Sequence, residues 1–184
     1  MKLLLHICCA PCSITCLDAL REDGHDVTGF WYNPNIHPFT EYRARKDALA
    51  DYAETAALPL VQGGKYGLRP FVRAVCGDID GRCAYCYRCR LEETARYAAE
   101  HGFDAFTTTL LVSPYQSRDG LLAAGERAAG QYGGVFLPQD FRPRFREGQQ
   151  RARDLGLYMQ KYCGCVFSEE DRFRRAPRRK PRQT

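Results

Sequence analysis

An α/β fold with a mainly parallel sheet flanked by helices is predicted by three observations. Short apolar runs alternate with helical patterns of ten residues or more, the rhythm of βαβ crossovers. Loops of unusual composition follow successive strand candidates, where an open parallel sheet collects ligands. The chain has 184 residues, 45% hydrophobic and 27% charged, which suits one buried core.

The elements follow in order. Residues 2–7 are an apolar run and form the first strand. Residues 13–22 read as a helix that Gly24 can end. Residues 27–32, rich in β-branched and aromatic side chains, form a second strand. Thr40 caps a helix reaching residue 57, and residues 59–61 make a short third strand. Residues 68–75 form a short helix, and residues 86–101 a stronger one closed by Gly102. Residues 105–112, with three successive threonines, form a fourth strand. A helix over 118–132, a break at Gly133-Gly134, a fifth strand over 135–137 and a last helix over 148–161 complete the pattern.

The net charge of +5 is unevenly placed. Residues 172–184 hold seven basic side chains and no acid, which leaves 20 basic against 22 acidic elsewhere. A single α/β domain is therefore expected over residues 1–168, with a basic, disordered Arg/Pro tail over 169–184. No apolar run approaches the roughly 20 residues that span a bilayer, and the apolar start is too short for a signal peptide. A cytoplasmic protein without membrane contact is expected, and ten cysteines in a reducing compartment point to metal ligands or redox thiols.

Seven of the ten fall into three clusters: Cys8-Cys9-x-x-Cys12, Cys83-x-x-Cys86, and Cys163-Gly164-Cys165. A C-x-x-C pair lets two thiolates converge from one turn of chain. Two such pairs make a four-sulfur site for tetrahedral zinc or for an iron–sulfur cluster, and spacing does not choose between them. A domain with its own sheet does not need a structural metal, which favours iron–sulfur. Cysteines two apart close a strained, labile ring, so Cys163 and Cys165 read as a redox dithiol or as further ligands. Cys16, Cys76 and Cys89 read as plain thiols, Cys16 and Cys89 as small apolar helix residues.

Other candidates lie in the strand-end loops. Asn33, Asn35 and His37 sit in a proline-stiffened loop after strand two, beside Tyr32. Thr108 and Ser113 follow strand four, and Asp140 follows strand five. Arg142 opens an Arg-Pro-Arg-Phe-Arg run able to grip phosphate and stack on a base. No glycine-rich phosphate loop is present and no nicotinamide or flavin motif is visible, so neither ATP nor flavin is expected.

His6-x-Cys8-Cys9-Ala10-Pro11-Cys12-Ser13, Phe30-x-Tyr32-Asn33-Pro34-Asn35-Ile36-His37-Pro38, Glu41-Tyr42-x-x-Arg45, Arg82-Cys83-x-x-Cys86-Tyr87, Thr107-Thr108-Thr109-Leu110, Ser113-Pro114-Tyr115 and Tyr162-Cys163-Gly164-Cys165-x-Phe167-Ser168 together resemble the cobalamin-independent epoxyqueuosine reductases of the QueH type. The resemblance runs in order from residue 2 to about 168. It implies an adenine nucleotide α-hydrolase-like fold of the HUP/Rossmann-like class. It also implies reduction of epoxyqueuosine to queuosine at the wobble position of tRNA, with no cobalamin. For ligands of a [4Fe-4S] cluster it points to Cys8, Cys9, Cys83 and Cys86, with Cys12 as an alternative or as ligand to an additional iron. Cys163 and Cys165 become a redox-active pair, and His37, Tyr32 and Asp140 candidate acids. Asn33, Asn35, Thr108, Ser113 and Arg142 become substrate-binding candidates. The implied partners are tRNA with a GUN anticodon and a low-potential electron donor. The competing classes are a zinc-stabilised RNA-binding module and a thiol–disulfide oxidoreductase.

Overall fold

The structure, a computed structural model, describes residues 1–174. Four strands, β1 (Lys2–His6), β2 (Asp26–Trp31), β3 (Leu60–Gln62) and β4 (Ala105–Thr108), form one parallel sheet in the order β3-β2-β1-β4. β1 is central and pairs Leu3 with Val27 on one side and with Ala105 on the other. Its Leu3-Leu4-Leu5 run is fully buried, as expected of a strand covered on both faces. Between the strands lie α1 (Ala10–Glu22), α2 (Phe39–Thr55), α3 (Leu68–Val75) and α4 (Arg82–Glu100). After the sheet come α5 (Arg118–Tyr132), α6 (Phe145–Asp154) and α7 (Val166–Phe173). α1 packs on α6 and α2, and α4 packs on α5, β1 and β4. Among the described residues no helix is long and apolar enough to cross a membrane.

α2 begins at Phe39 with Pro38 rather than Thr40 at its cap, and α6 begins at Phe145 rather than residue 148. Five further boundaries differ from expectation, and each has a local cause. α1 begins at Ala10 rather than residue 13, because Pro11 fits the first helical turn, where its missing N–H is no loss. Cys12 therefore lies on the helix and Cys9 at its cap. α4 begins at Arg82 rather than residue 86, which places Cys83, Cys86 and Cys89 on successive turns of one helix. The threonine strand stops at Thr108, whose hydroxyl accepts the Leu110 N–H at 3.1 Å and turns residues Thr109–Val112 into a 3-10 helix. Residues 135–137 make a single parallel bridge, Phe106 to Phe136, so the sheet has four strands rather than five.

The last boundary lies at the C-terminal end. α6 stops at Asp154 instead of reaching residue 161. Gly156, at φ +66, donates to the Arg153 carbonyl and Leu157 to Ala152, a glycine-closed helix end. The chain then loops through Cys163 to Cys165 and forms α7, which crosses the domain boundary placed after residue 168. Of the tail expected to be disordered over 169–184, residues 169–173 are helical, and residues 175–184 lie outside the described residues.

Candidate metal and dithiol site

The loops after β1, β2 and β4 meet at one edge, tied together by short bonds. Asn33 Nδ2 donates to the Ile7 carbonyl at 2.8 Å, and the His6 ring bridges Thr108 Oγ1 at 2.8 Å and the Tyr32 carbonyl at 3.2 Å. Burial pushes the pKa of His6 down to about 4, so it bridges as a neutral ring.

At the centre of this edge Cys8, Cys9 and Cys12 bring three buried sulfurs within 4.8 Å of one another. Side chains adjacent in a strand point to opposite faces. These two do not diverge, because β1 has ended at His6 and the chain is turning into α1. The Sγ atoms of Cys8 and Cys9 stand 3.8 Å apart. Hydrogen bonds from Cys12 and Cys9 hold the Cys8 thiol well below its usual pKa, while burial raises Cys9 and the bond to Cys8 raises Cys12. Thr109 Oγ1 accepts the Cys8 N–H at 3.2 Å and faces its sulfur at 3.5 Å. Gln160 Nε2 donates to Cys9 Sγ at 3.0 Å and Cys12 Sγ at 3.5 Å, and its Oε1 is buried with no partner.

The second thiol set comes from α4. Cys83 is exposed and Cys86 half-buried. Cys86 Sγ accepts from Asn35 Nδ2 at 2.8 Å, and Asn35 Oδ1 accepts from Arg90 Nε at 2.8 Å. Arg90 is only 1% exposed, and among the described residues it has no ion pair with a carboxylate. The groups near enough to bear on it, once ionised, are the sulfurs of Cys86, Cys8 and Cys89. A buried cation is costly without a counter-charge. Among the described residues, ionised cysteine sulfurs are the groups placed to supply one. Ionised sulfurs need compensation in turn, for burial pushes Cys86 up to about 12. A metal–thiolate group satisfies both demands: it ionises the sulfurs and gives Arg90 its anion. The residues present therefore fit such a group.

The third set is held on a framed loop. Arg45, also 1% exposed, donates Nε to Glu41 at 2.7 Å and its two terminal nitrogens to the carbonyls of Cys163 and Tyr162, both at 2.9 Å. Glu41 is fixed in turn by the Tyr158 hydroxyl at 2.5 Å. The backbone N–H of His37 donates to the Gly164 carbonyl at 2.8 Å, and Tyr162 Oη donates to the His37 carbonyl at 2.6 Å. Gly164 has φ +154, and a Cβ there would press Ile36 at 3.3 Å, so glycine is required between the two cysteines. Cys163 is exposed and accepts from Gln116 Nε2 at 3.1 Å, while Gln116 Oε1 accepts from Tyr87. Cys165 is buried against Phe71 and Val75 and caps α7.

The remaining candidates sort clearly. His37 is fully buried, its Nδ1 accepts the Val166 N–H at 3.3 Å, and burial lowers its pKa to about 4. Its ring is wedged against Tyr66 and Phe71. Asp140 chelates the Arg142 side chain, which holds its carboxyl down at about 2. Burial raises Tyr32, which keeps its proton and lines a cavity of about 240 Å³ with Tyr85, Arg88 and Cys89. Asn33 and Thr108 are buried and bonded within the edge, Ser113 Oγ accepts the Tyr115 N–H, and Arg142 is exposed. Arg90, Gln160 and Gln116 have no candidate role in the sequence, and Thr109 enters there only as part of the threonine strand. Only Arg90 left a signal there, since it lies one helical turn beyond Cys86 on the same face.

Comparison with known proteins adds independent findings. The family described as Epoxyqueuosine reductase QueH matches residues 3–171. The curated Epoxyqueuosine reductase QueH of Dehalococcoides mccartyi is 38% identical over 172 residues, covering 94% of each chain. That of Thermotoga maritima is 37% identical over 175 residues, 90% of this chain and 88% of the relative. That of Haemophilus influenzae is 36% identical over 178 residues, 92% and 72%. Among solved structures, the U34-tRNA thiolase NcsA from Methanococcus maripaludis with its [4Fe-4S] cluster superposes with a TM-score of 0.60 at 15% identity. The match covers 93% of this chain and 63% of that one, and shows a shared fold.

Proposed function

The chain belongs to the epoxyqueuosine reductase QueH family, and from that premise we propose how its residues divide the work. The reaction converts the epoxide of epoxyqueuosine to the alkene of queuosine. It consumes two electrons and two protons and releases the oxygen as water. The observation that carries the assignment is the convergence of the three buried sulfurs of Cys8, Cys9 and Cys12, with a buried arginine that lacks a carboxylate, Arg90, set near Cys8 and Cys86. Cys8, Cys9, Cys83 and Cys86 hold a [4Fe-4S] cluster, with Cys12 as the substitute ligand or the ligand of an additional iron. Bound there, a cluster supplies one-electron transfer and a Lewis-acidic iron. The [4Fe-4S] cluster of the U34-tRNA thiolase of like fold supports this reading.

The protein's own groups do the rest. Oxidation of Cys163 and Cys165 to a disulfide releases two electrons and two protons, which matches the demand of the epoxide. Gln116, bonded to Cys163, orients that thiol. Arg45 holds the loop against the site. Of the acid candidates, Asp140 is ionised and His37 is neutral and enclosed. Tyr32 retains a proton beside an open cavity and is assigned its delivery. The partner is tRNA with a GUN anticodon, whose wobble nucleotide must be unstacked to reach the edge, and a low-potential donor restores the dithiol.

Anaerobic incubation of the metal-loaded protein with epoxyqueuosine-containing tRNA and an artificial donor tests this, with nucleoside mass spectrometry as readout. Queuosine is expected, and Cys83→Ala or Cys86→Ala should remove both the brown chromophore and turnover. A colourless one-zinc protein without turnover would overturn the assignment in favour of a zinc-stabilised RNA-binding module.

A further inference from the structure

The Ser113-Pro114-Tyr115 loop presents the most exposed large apolar side chain among the described residues: Tyr115 is 85% exposed. The loop is nevertheless organised. Ser113 Oγ accepts the Tyr115 N–H at 3.3 Å, and the Gln116 N–H donates to the Ser113 carbonyl at 3.4 Å. The Phe145 ring meets Tyr115 in an edge contact, centroids 6.1 Å apart and planes at 82°. Such a contact props the ring up and leaves a face free for stacking. The next residue, Gln116, touches Cys163 Sγ at 3.1 Å. The platform thus stands one residue from a candidate catalytic thiol.

The rim around it is cationic. Arg118 and Arg142 share the single carboxylate of Asp140 at 3.8 and 2.6 Å. Exposed Arg146, one residue after Phe145, has no ion pair among the described residues. Even with Asp119 facing Arg142, three guanidinium groups meet two carboxylates. An open aromatic face rimmed by arginines suits a nucleobase with its phosphates.

We propose that Tyr115, propped by Phe145, is the stacking platform for an unstacked base of the RNA next to the nucleotide presented to Cys163, with Arg146 on its phosphate. The proposal rests on tRNA being the substrate, as assigned above.

The test measures binding of an unmodified anticodon stem–loop RNA to the metal-loaded protein by fluorescence anisotropy at several salt concentrations. Tyr115→Ala should weaken binding at least about five-fold, while Tyr115→Phe stays within about two-fold of wild type. Tyr115→Ala should leave the salt slope unchanged, because stacking releases no counterion. Arg146→Gln should flatten that slope by about one unit. Exposure of Tyr115 makes both variants safe for folding, and their melting temperatures should match wild type. In turnover, Tyr115→Ala should raise KM for tRNA more than it lowers kcat. Tyr115→Ala binding as tightly as wild type overturns the platform, as does a wild type that binds no RNA. A wild type that binds RNA through Tyr115 but reduces no epoxyqueuosine upholds the platform and removes the reductase assignment instead.

Discussion

Arg90 shows how a single charge can reveal a site. Its guanidinium is buried beside Cys86 and Cys8 and reaches Cys86 through the Asn35 amide. A fixed cation there stabilises whichever state of the thiolate group carries more negative charge. Arg90→Met should therefore lower the midpoint potential of the loaded centre by on the order of 50 mV, near tenfold in the one-electron constant. Arg90→Lys should recover most of it. A spectroelectrochemical titration reads both, and an unshifted potential would refute the electrostatic role. His37 works differently, as a neutral strut between the β2 loop and the dithiol loop. Its folded pKa of about 4 lies below the unfolded value near 6.5. The unfolded chain thus binds more protons in that window, and the stability His37 contributes above pH 6.5 is lost as pH falls toward 4. The slope is roughly 1.4 kcal/mol per pH unit. Denaturant unfolding across that range should show this loss, and His37→Gln should flatten it.

At the scale of elements, α4 and the Arg45-framed loop decide the site. α4 places its cysteines one turn apart, and Arg45 on α2 holds the Tyr162 and Cys163 carbonyls from more than a hundred residues away. α5 offers a paired test of packing. A Cβ on Gly125 would stand 2.5 Å from the Phe136 ring, whereas one on Gly130 meets nothing within 4 Å. Alanine gains about 1 kcal/mol of helix propensity at either position. At Gly125, overpacking of about 1–3 kcal/mol outweighs that gain. Gly125→Ala should lower the melting temperature and Gly130→Ala raise it, by several degrees or less in thermal scans. The sequence disclosed the strands and long helices wherever burial and propensity agreed, as in β1, β2 and α5. It misled where side chains redirected the backbone. The Thr108 hydroxyl cut the threonine strand short, and Gly156 closed α6 early and freed residues for the dithiol loop and α7.

The whole molecule separates a nearly neutral body from a cationic end. Residues 175–184 carry Arg175, Arg178, Arg179, Lys180 and Arg182 with no acid. Deleting them should weaken tRNA binding and flatten its salt dependence while leaving turnover at saturating tRNA nearly unchanged. An unchanged salt slope would rule out phosphate contact by this segment. The sequence by itself determined the chemistry available: thiolates in three short clusters, strand-end loops to carry them, and a basic terminus. Those features are local, because a C-x-x-C spacing or a strand–helix rhythm is written within a few residues. The tertiary structure alone decided which sulfurs converge and what surrounds them. Arg90, Gln160 and the Arg45 frame act across separations of up to about 150 residues. Such contacts arise from packing around the sheet edge, and no short stretch of sequence contains them.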